Sequence, residues 1–167
     1  MPIPELVQMF SHVGLDFVLI DMEHGPISIE AAYRMVTATI GTSVEPWIRV
    51  IRNDAAQIKL ALDAGARSIV VPMITCKEDA KHAVSFAKYP SQGVRGWGPF
   101  RAQYQWQTSM IDYARRANDE TDVIVLIEHP GAVRDLDEIL DNSFLEALNG
   151  LFQCGHDAGA GGLYQRR

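Results

Sequence analysis

The stretch that decides the fold is Phe17-Val18-Leu19-Ile20-Asp21-Met22-Glu23-His24-Gly25-Pro26. It begins with four apolar residues of strand type, and two acids and a histidine follow within the next four positions. A short apolar run bounded by turn residues is typical of a buried strand. A buried strand that ends in ionisable groups indicates a ligand-binding or catalytic site at its end.

Two further predicted strands end in the same way. The segment Glu45-Pro46-Trp47-Ile48-Arg49-Val50 carries an arginine near its end, and Val123-Ile124-Val125-Leu126-Ile127 is followed by Glu128 and His129. The chain therefore has three strand ends that carry reactive side chains.

Periodicity, capping residues and glycines divide the chain into alternating helices and strands. The pattern around residues 75–78 also has the spacing of a capping box, in which Thr75 and Glu78 would satisfy free amides at the start of a helix. The predicted helices span about 5–13, 28–40, 54–65, 77–88, 109–118 and 130–140; Pro26 and Ser28 introduce the second, and the third is capped by Asn53 or Asp54 and ends at 64–66. The predicted strands span 16–22, 46–51, 68–73 and 122–128. Residues 89–106 are predicted to be a long loop.

Alternation of strand and helix predicts an α/β fold, with parallel strands and helical crossovers outside the sheet. In such folds ligand sites lie at the carboxyl ends of the strands, whether the sheet is open or closed. The three reactive strand ends lie at that edge.

Composition excludes several classes of protein. The chain has 167 residues, of which 47% are hydrophobic and 22% are charged, so it can form a sizeable core. A net charge of −6 and a pI near 5.3, without a long basic block, argue against nucleic acid as a partner. The apolar runs are far shorter than a membrane span needs, and Met1-Pro2-Ile3-Pro4-Glu5 is no secretory signal. We expect a cytoplasmic protein, in agreement with isolated cysteines at 76 and 154.

The residue types at the strand ends leave alternatives open. Asp21, Glu23 and His24 could form an acid–base group, since a carboxylate can orient an imidazole, or they could form a polar turn. Glu128 follows an apolar strand, where a carboxylate needs a metal, a cation or a proton. Arg49 could hold an oxyanion or carboxylate, or it could form a structural ion pair.

An ordered series of motifs extends from about residue 14 to 148, and the series resembles the HpcH/HpaI aldolase family. This is the family of metal-dependent pyruvate aldolases related to citrate lyase β-type enzymes. The matching motifs are Asp16-Phe17-Val18-Leu19-Ile20-Asp21-Met22-Glu23-His24, Asn53-Asp54 with Gln57-Ile58-Lys59, Leu62-Asp63-Ala64-Gly65-Ala66, Ile69-Val70-Val71-Pro72-Met73, Tyr89-Pro90 with Gly93, Arg95 and Gly96, Ala117-Asn118, and Ile127-Glu128 with Leu136-Asp137-Glu138-Ile139-Leu140.

The resemblance implies a (β/α)8 TIM barrel, of which this chain holds about strands two to five of eight. It implies cleavage of a 4-hydroxy-2-oxoacid to pyruvate and an aldehyde, with a divalent ion such as Mg²⁺ or Mn²⁺, and Co²⁺ as another possibility. The intact family form is expected to be a homo-oligomer. By position, His24 resembles the base, Arg49 the group that binds substrate and stabilises the enolate, and Glu128 one of two metal carboxylates. Asp21 belongs to the catalytic group.

Asp63 matches a carboxylate that tunes the histidine, although its place late in a helix puts it roughly 15 Å from the site at 1.5 Å per residue. It acts across a subunit contact or has no such role here. Leu126 stands where several members carry a substrate-binding glutamine, so we expect a less polar pocket. The second metal aspartate of the family lies in a Gly-Pro-x-Asp-Leu-Ser segment that this chain lacks, and Asp157 is a weak match for it.

We therefore expect a partial barrel domain over residues 1–148, truncated at both ends, and a divergent, irregular tail over 149–167. Two alternatives to the aldolase remain. One is a citrate-lyase-like enzyme that acts on a coenzyme A thioester, and the other is a non-catalytic fragment that assembles with intact partners.

Overall fold

The computed structural model of this chain describes residues 2–140 and the backbone of Gly150–Phe152. Strands and helices alternate along these residues. The helices are α1 (Pro4–Phe10), α2 (Ile29–Thr37), α3 (Ala55–Asp63), α4 (Lys77–Ala87), α5 (Ala102–Gln105), α6 (Met110–Glu120), α7 (Pro130–Arg134) and α8 (Leu136–Ile139), and the strands are β1 (Phe17–Asp21), β2 (Glu45–Arg49), β3 (Ser68–Ile74), β4 (Asp122–Ile127) and β5 (Gly150–Phe152).

The strands form one parallel sheet whose spatial order, β1-β2-β3-β4-β5, follows the chain. Parallel neighbours require a crossover, and helices supply it between each pair of strands from β1 to β4. The predicted α/β class and the parallel arrangement are confirmed. All described strands therefore end at the same edge of the sheet.

Capping side chains start two helices that lead away from this edge. The Ser28 side chain accepts a hydrogen bond from the backbone N–H of Ala31 at the start of α2. Asp54 accepts from the N–H groups of Ala56 and Gln57 at the start of α3. Caps of this kind satisfy amides that have no partner within the helix. The helix starts predicted at both positions are confirmed, and Asp54, rather than Asn53, is the cap.

Gly65 ends α3 as predicted. Its φ is +109°, a conformation that residues with a Cβ rarely adopt, and a Cβ there would lie 2.7 Å from the Cβ of Gln105. The glycine therefore permits both the turn into β3 and the close approach of α5.

Several predicted boundaries are wrong. Helix α1 ends at Phe10 and continues as turns, not as helix, to Val13. The predicted capping box at the start of α4 does not form, since the N-cap is Cys76 and Thr75 donates to Asp79 instead of pairing with Glu78. The predicted helix 130–140 is two short helices, because Asp135 has a non-helical backbone with φ −93° and ψ +14°.

The predicted loop at 89–106 contains the single turn α5. The N–H of Gln103 donates to the carbonyl of Pro99, which starts this turn just after a proline. A four-residue helix is too short to show hydrophobic periodicity, so glycine and aromatic content alone predicted a loop there.

The two faces of the sheet have different neighbours. One face packs in a core that includes residues of α2, α3 and α4, and its strand residues include Ile20, Ile48, Ile69, Val71 and Val125. The opposite face holds a second buried cluster, formed by Trp47, Val70, Ile124 and Leu126. Because side chains alternate along a strand, residues two positions beyond this cluster share its face at the carboxyl edge.

The tail predicted to be irregular over 149–167 begins with strand β5, which pairs with β4. The other residues of that tail lie outside the described part, so the proposed division of the chain stays a prediction. Within the described residues, none of the helices has both the length and the apolar character that crossing a bilayer requires.

Candidate active site

Three predicted site residues meet at the carboxyl edge of the sheet. Asp21 is the last residue of β1, Arg49 is the last residue of β2, and Glu128 follows β4 directly. Asp21 and Arg49 are partners in the register of the two strands. Glu128 lies near enough to add to the electrostatic stabilisation of the Arg49 charge. The structure thus brings these groups together from positions far apart in the sequence.

Arg49 and Asp21 form a two-point ion pair. The Nε of Arg49 donates to Oδ1 of Asp21 over 2.9 Å, and Nη2 donates to Oδ2 over 2.5 Å. The Arg49 hydrogen bond holds the pKa of Asp21 below its usual value, although partial burial acts in the opposite direction. This geometry matches the planar fork of a guanidinium to a carboxylate. The structural ion pair that the sequence left as one alternative is therefore present.

Asp21 also shapes the turn after β1. Its Oδ1 accepts hydrogen bonds from the backbone N–H groups of Glu23 and His24, over 3.0 and 3.2 Å. These bonds further stabilise the charged carboxylate. Asp21 therefore links the turn that carries His24 to Arg49 on the neighbouring strand.

Glu23 is a second carboxylate at Arg49. Its side chain is 14% exposed, and Oε2 lies 3.1 Å from Nη1 of Arg49. The sequence placed Glu23 only in a polar triplet and gave it no role toward the arginine. The contact depends on the turn after β1, which the alternation of side chains along a strand does not describe. Asp21, Glu23 and Glu128 together raise the pKa of Arg49, with the Asp21 hydrogen bond as the largest cause.

Arg49 has donors beyond those used by its two carboxylates. A guanidinium carries five N–H groups. Nε and Nη2 each donate to Asp21, whereas the contact of Nη1 with Glu23 is an ion pair without a hydrogen bond. Among the described residues, N–H groups on both terminal nitrogens therefore remain available for a ligand oxygen. The same side chain can be both ion-paired and ligand-binding.

His24 is at the surface of the site. Its side chain is 74% exposed, and Nε2 lies 3.7 Å from Oε2 of Glu23, which is beyond hydrogen-bond distance. The imidazole is reached easily by a ligand, while its backbone is fixed by Asp21. This arrangement permits proton exchange between His24 and a molecule bound at the strand ends.

Glu128 is held by the neighbouring strand. Its Oε2 accepts a hydrogen bond of 3.1 Å from the backbone N–H of Met73 in β3. Met73 has φ +54°, and the register between β3 and β4 shifts between Val71 and Ile74. This bulge turns a main-chain donor toward the carboxylate, and nothing in the sequence pointed to Met73.

The base of the site is apolar. Trp47 precedes Arg49 by two positions and Leu126 precedes Glu128 by two, so each shares a sheet face with the charged residue above it. Leu126 is 6% exposed and belongs to the buried cluster that it forms with Trp47, Val70 and Ile124. The less polar pocket and a contact between Leu126 and substrate both stay predictions.

The described residues include no group of three or more histidines, cysteines or acids that could hold a metal ion. They supply one carboxylate of the expected kind, Glu128, and Asp157 lies outside the described part. Mg²⁺ is usually bound by one or two carboxylates together with water and substrate oxygens. The carboxylate oxygens of Glu128 are therefore suitable as part of the ligand set of such an ion.

Asp63 lies apart from the other predicted site residues. It is the last residue of α3, which starts beside the strand ends and runs about 13 Å away from them. Its Oδ1 accepts a 2.7 Å hydrogen bond from Arg95, whose side chain is fully buried and also donates to the hydroxyl of Tyr113. Burial raises the pKa of Asp63, and the Arg95 hydrogen bond only partly offsets this.

Known proteins match this chain over most of its length. A family model, HpcH/HpaI aldolase/citrate lyase, matches residues 3–158. The chain belongs to the HpcH/HpaI aldolase/citrate lyase family. The match extends into the tail that we predicted to be divergent, and the recognition made from the ordered motifs is confirmed.

One similar relative is the 4-hydroxy-2-oxo-heptane-1,7-dioate aldolase of Escherichia coli. It is 34% identical over 145 residues, which cover 87% of this chain and 54% of the aldolase. The chain thus spans about half the length of this relative.

Solved structures agree with the fold. An HpcH/HpaI aldolase/citrate lyase family protein from Burkholderia cenocepacia has a TM-score of 0.80 at 29% identity, and the match covers 92% of this chain and 60% of that protein. Citrate synthase SbnG has a TM-score of 0.78, also at 29% identity, with 92% and 58% covered. The parallel strands and helices of this chain therefore correspond to part of a TIM-barrel aldolase fold, as predicted.

Proposed function

We propose that this chain carries the substrate-binding half of a divalent-metal-dependent aldolase that cleaves a 4-hydroxy-2-oxoacid to pyruvate and an aldehyde. The observation that carries the proposal is the meeting of Asp21, Arg49 and Glu128 at adjacent strand ends beside an exposed His24. The aldolase similarity of the family supports the same class of reaction.

In the proposed reaction, His24 accepts the proton of the C4 hydroxyl group. The C4–O bond becomes the carbonyl of the aldehyde as the C3–C4 bond breaks, and the electron pair moves into the enolate of pyruvate. The proton that His24 accepted is then returned, directly or through water, to C3, which completes the ketoacid and restores the neutral imidazole. His24 is suited to this role because its imidazole is accessible and its main chain is fixed.

The enolate places negative charge on the oxygen at C2. The unused N–H groups of Arg49 would donate to this oxygen, and Asp21 and Glu23 keep the guanidinium in one orientation. Glu128, with Asp157 as the weaker second match, would hold the divalent ion. Such an ion stabilises an enolate oxygen as a Lewis acid.

A role for Asp63 toward His24 would need a second copy of the chain, because α3 carries Asp63 away from the strand ends. We propose a homo-oligomer on the resemblance to the family, and a cytoplasmic location stays a separate expectation from the sequence. Light scattering coupled to size-exclusion chromatography would test the assembly, and a monomeric chain that retains activity would exclude this role of Asp63.

The similarity to citrate synthase SbnG supports a second candidate. In it the same site would act on another carbon–carbon bond, as in a citrate-lyase-like reaction with a coenzyme A thioester. The two candidates differ in substrate, so parallel assays with both substrate classes separate them.

The decisive experiment measures pyruvate release from 4-hydroxy-2-oxoacids by the purified chain with Mn²⁺, with and without EDTA. We expect turnover that EDTA abolishes and that falls at least about 100-fold in His24→Ala and Glu128→Ala, in line with the usual contribution of an acid–base group. The matched controls are His12→Ala, in the turn that follows α1, and Glu30→Ala, in α2. Both residues are exposed.

Turnover that EDTA does not affect would exclude the metal mechanism. A folded chain without turnover on either substrate class would favour the non-catalytic assembly role.

A further inference from the structure

The β3–α4 connection has an irregular backbone beside Glu128. The register of β3 against β4 shifts between Val71 and Ile74, and Met73 within the shift has φ +54°. Bulges of this kind re-aim groups at the ends of strands and occur often next to active sites. Here the re-aimed group is the N–H of Met73, which donates to Oε2 of Glu128.

Asp79 holds the chain that follows this bulge. Its Oδ2 accepts hydrogen bonds from both the backbone N–H and the hydroxyl of Thr75, over 3.0 and 2.5 Å. Its main-chain carbonyl accepts a third hydrogen bond, 2.8 Å long, from Nδ2 of Asn53 in the β2–α3 connection. The segment that presents Met73 is therefore tied both to α4 and to the neighbouring connection.

The connection after β4 packs tightly on the same segment. A Cβ at Gly131 would lie 2.9 Å from the carbonyl oxygen of Thr75 and 2.9 Å from Nδ1 of His129. A side chain at this position would push the two connections apart, so the glycine permits their close approach. Ile74 and Ile127 are register partners, so Thr75 and Glu128 each follow directly after a paired residue.

We propose that Thr75 and Asp79 are positioning residues, which fix the β3 bulge so that the Met73 amide holds Oε2 of Glu128 and leaves Oε1 as the oxygen that binds a divalent cation. This inference rests on the metal-binding role of Glu128 in the proposed function. Groups behind a metal ligand fix its orientation, and their loss typically weakens metal binding by about 10–100-fold.

The test compares Thr75→Val, which removes the hydroxyl at nearly constant size, with Thr75→Ser, which retains it. Ser109→Ala is the matched control, because the Ser109 hydroxyl also donates to a carboxylate, that of Asp112, at the start of an 11-residue helix. Two quantities are measured for each variant of the 167-residue chain. They are amide hydrogen exchange at Met73 by NMR without metal, and the affinity for Mn²⁺ alone by electron paramagnetic resonance.

In Thr75→Val we expect exchange at Met73 to accelerate and Mn²⁺ affinity to fall about 10-fold. We expect Thr75→Ser and Ser109→Ala to match the unaltered chain in both measurements. If Thr75→Val does not fold, Asp79→Asn undergoes the same measurements with the same expected directions.

Unchanged exchange at Met73 in the hydroxyl-free variant would overturn the positioning role, whatever the metal affinity. Faster exchange with unchanged Mn²⁺ affinity would overturn its link to cation binding. An unaltered chain that binds no Mn²⁺ would overturn the proposed function and the cation-binding part of this inference, while the exchange data still decide whether Thr75 fixes the amide.

Discussion

Asp21 and Arg49, 28 residues apart, are register partners at the ends of two adjacent parallel strands, and two hydrogen bonds join their side chains. The pair does two things at once. It closes the carboxyl end of the β1–β2 ladder, and it fixes the direction of the guanidinium in the site. Stability at acid pH and the proposed ligand-binding role of Arg49 therefore depend on the same contact.

Replacing Asp21 with Asn should flatten the acid dependence of stability. Arg49 lowers the pKa of Asp21 in the folded chain below 3.8. The stabilisation from the pair is therefore fully present well above the ordinary Asp pKa of 3.8, and it is lost as the pH falls from that value through the lower, folded-state pKa. At neutral pH we expect Asp21→Asn to lower the free energy of unfolding by about 1–3 kcal/mol.

Urea unfolding from pH 7 to pH 3 checks this prediction. The difference between the unaltered chain and Asp21→Asn should shrink toward the acid end. Asp112→Asn, in an exposed pair with Arg115, serves as the control and should cost about 0–1 kcal/mol at neutral pH. A constant difference across the pH range would contradict the assignment.

Replacing Leu126 with Gln, the residue that the family resemblance implies for this position, should destabilise the chain. The leucine is buried in an apolar cluster with Trp47, Val70 and Ile124, and a glutamine would place a polar amide in that cluster. An unpartnered buried amide costs about 1–3 kcal/mol. Leu126→Met keeps the apolar character and should cost less than about 1.5 kcal/mol. Thermal and urea unfolding of both variants would measure the difference, and equal stabilities would show that the cluster admits a polar group.

Replacing Arg95 with Met should be among the most destabilising changes outside the site. Arg95 is fully buried, pairs with Asp63 and lies over the ring of Tyr89 at 4.5 Å. Removal of one member of a buried pair leaves the other charge uncompensated and costs about 3–5 kcal/mol. The comparison is Arg115→Met, whose exposed pair should contribute no more than about 1 kcal/mol. A loss below 1 kcal/mol in Arg95→Met, measured by urea unfolding, would argue against this buried pair.

Gly131→Ala should lower stability even though alanine favours helices by up to about 1 kcal/mol over glycine. The added Cβ meets a main-chain oxygen of Thr75 at 2.9 Å, and a backbone contact cannot turn aside as a flexible side chain can. Gly96→Ala is the control, since its nearest neighbour would be the Cδ of Lys59 at 3.8 Å. Differential scanning calorimetry should show a lower Tm for Gly131→Ala only, and an unchanged or higher Tm would contradict the close packing.

Local chemistry explains what the sequence could predict. Ser28, Asp54 and Gly65 act on amides and carbonyls within a few positions of themselves, so their effect can be recognised from the chain alone. The strand ends that carry Asp21 and Arg49 were equally visible, because an apolar run followed by charge is a continuous pattern. Parallel topology then placed these ends side by side.

Long-range pairing explains what the sequence could not predict. The bond between Met73 and Glu128 joins groups 55 positions apart and depends on a bulge, and main-chain amides carry no signature in a sequence. Asp63 was considered only for a role at the site, because its partner Arg95 lies 32 positions away, beyond β3 and α4. The start of α4 at Lys77 was predicted correctly, but its capping box was not, since the Thr75 hydroxyl donates to Asp79 and does not pair with Glu78.

The sequential order of the strands has a consequence for synthesis on the ribosome. Each strand from β2 onward pairs with the one that emerged just before it, so β1, β2 and β3 can assemble while β4 is still untranslated. The interval between the synthesis of β3 and that of β4 is the longest, because 54 positions separate the paired residues Ser68 and Asp122. During that interval the margin of β3 has no partner, and a translational pause there would prolong its exposure to aggregation.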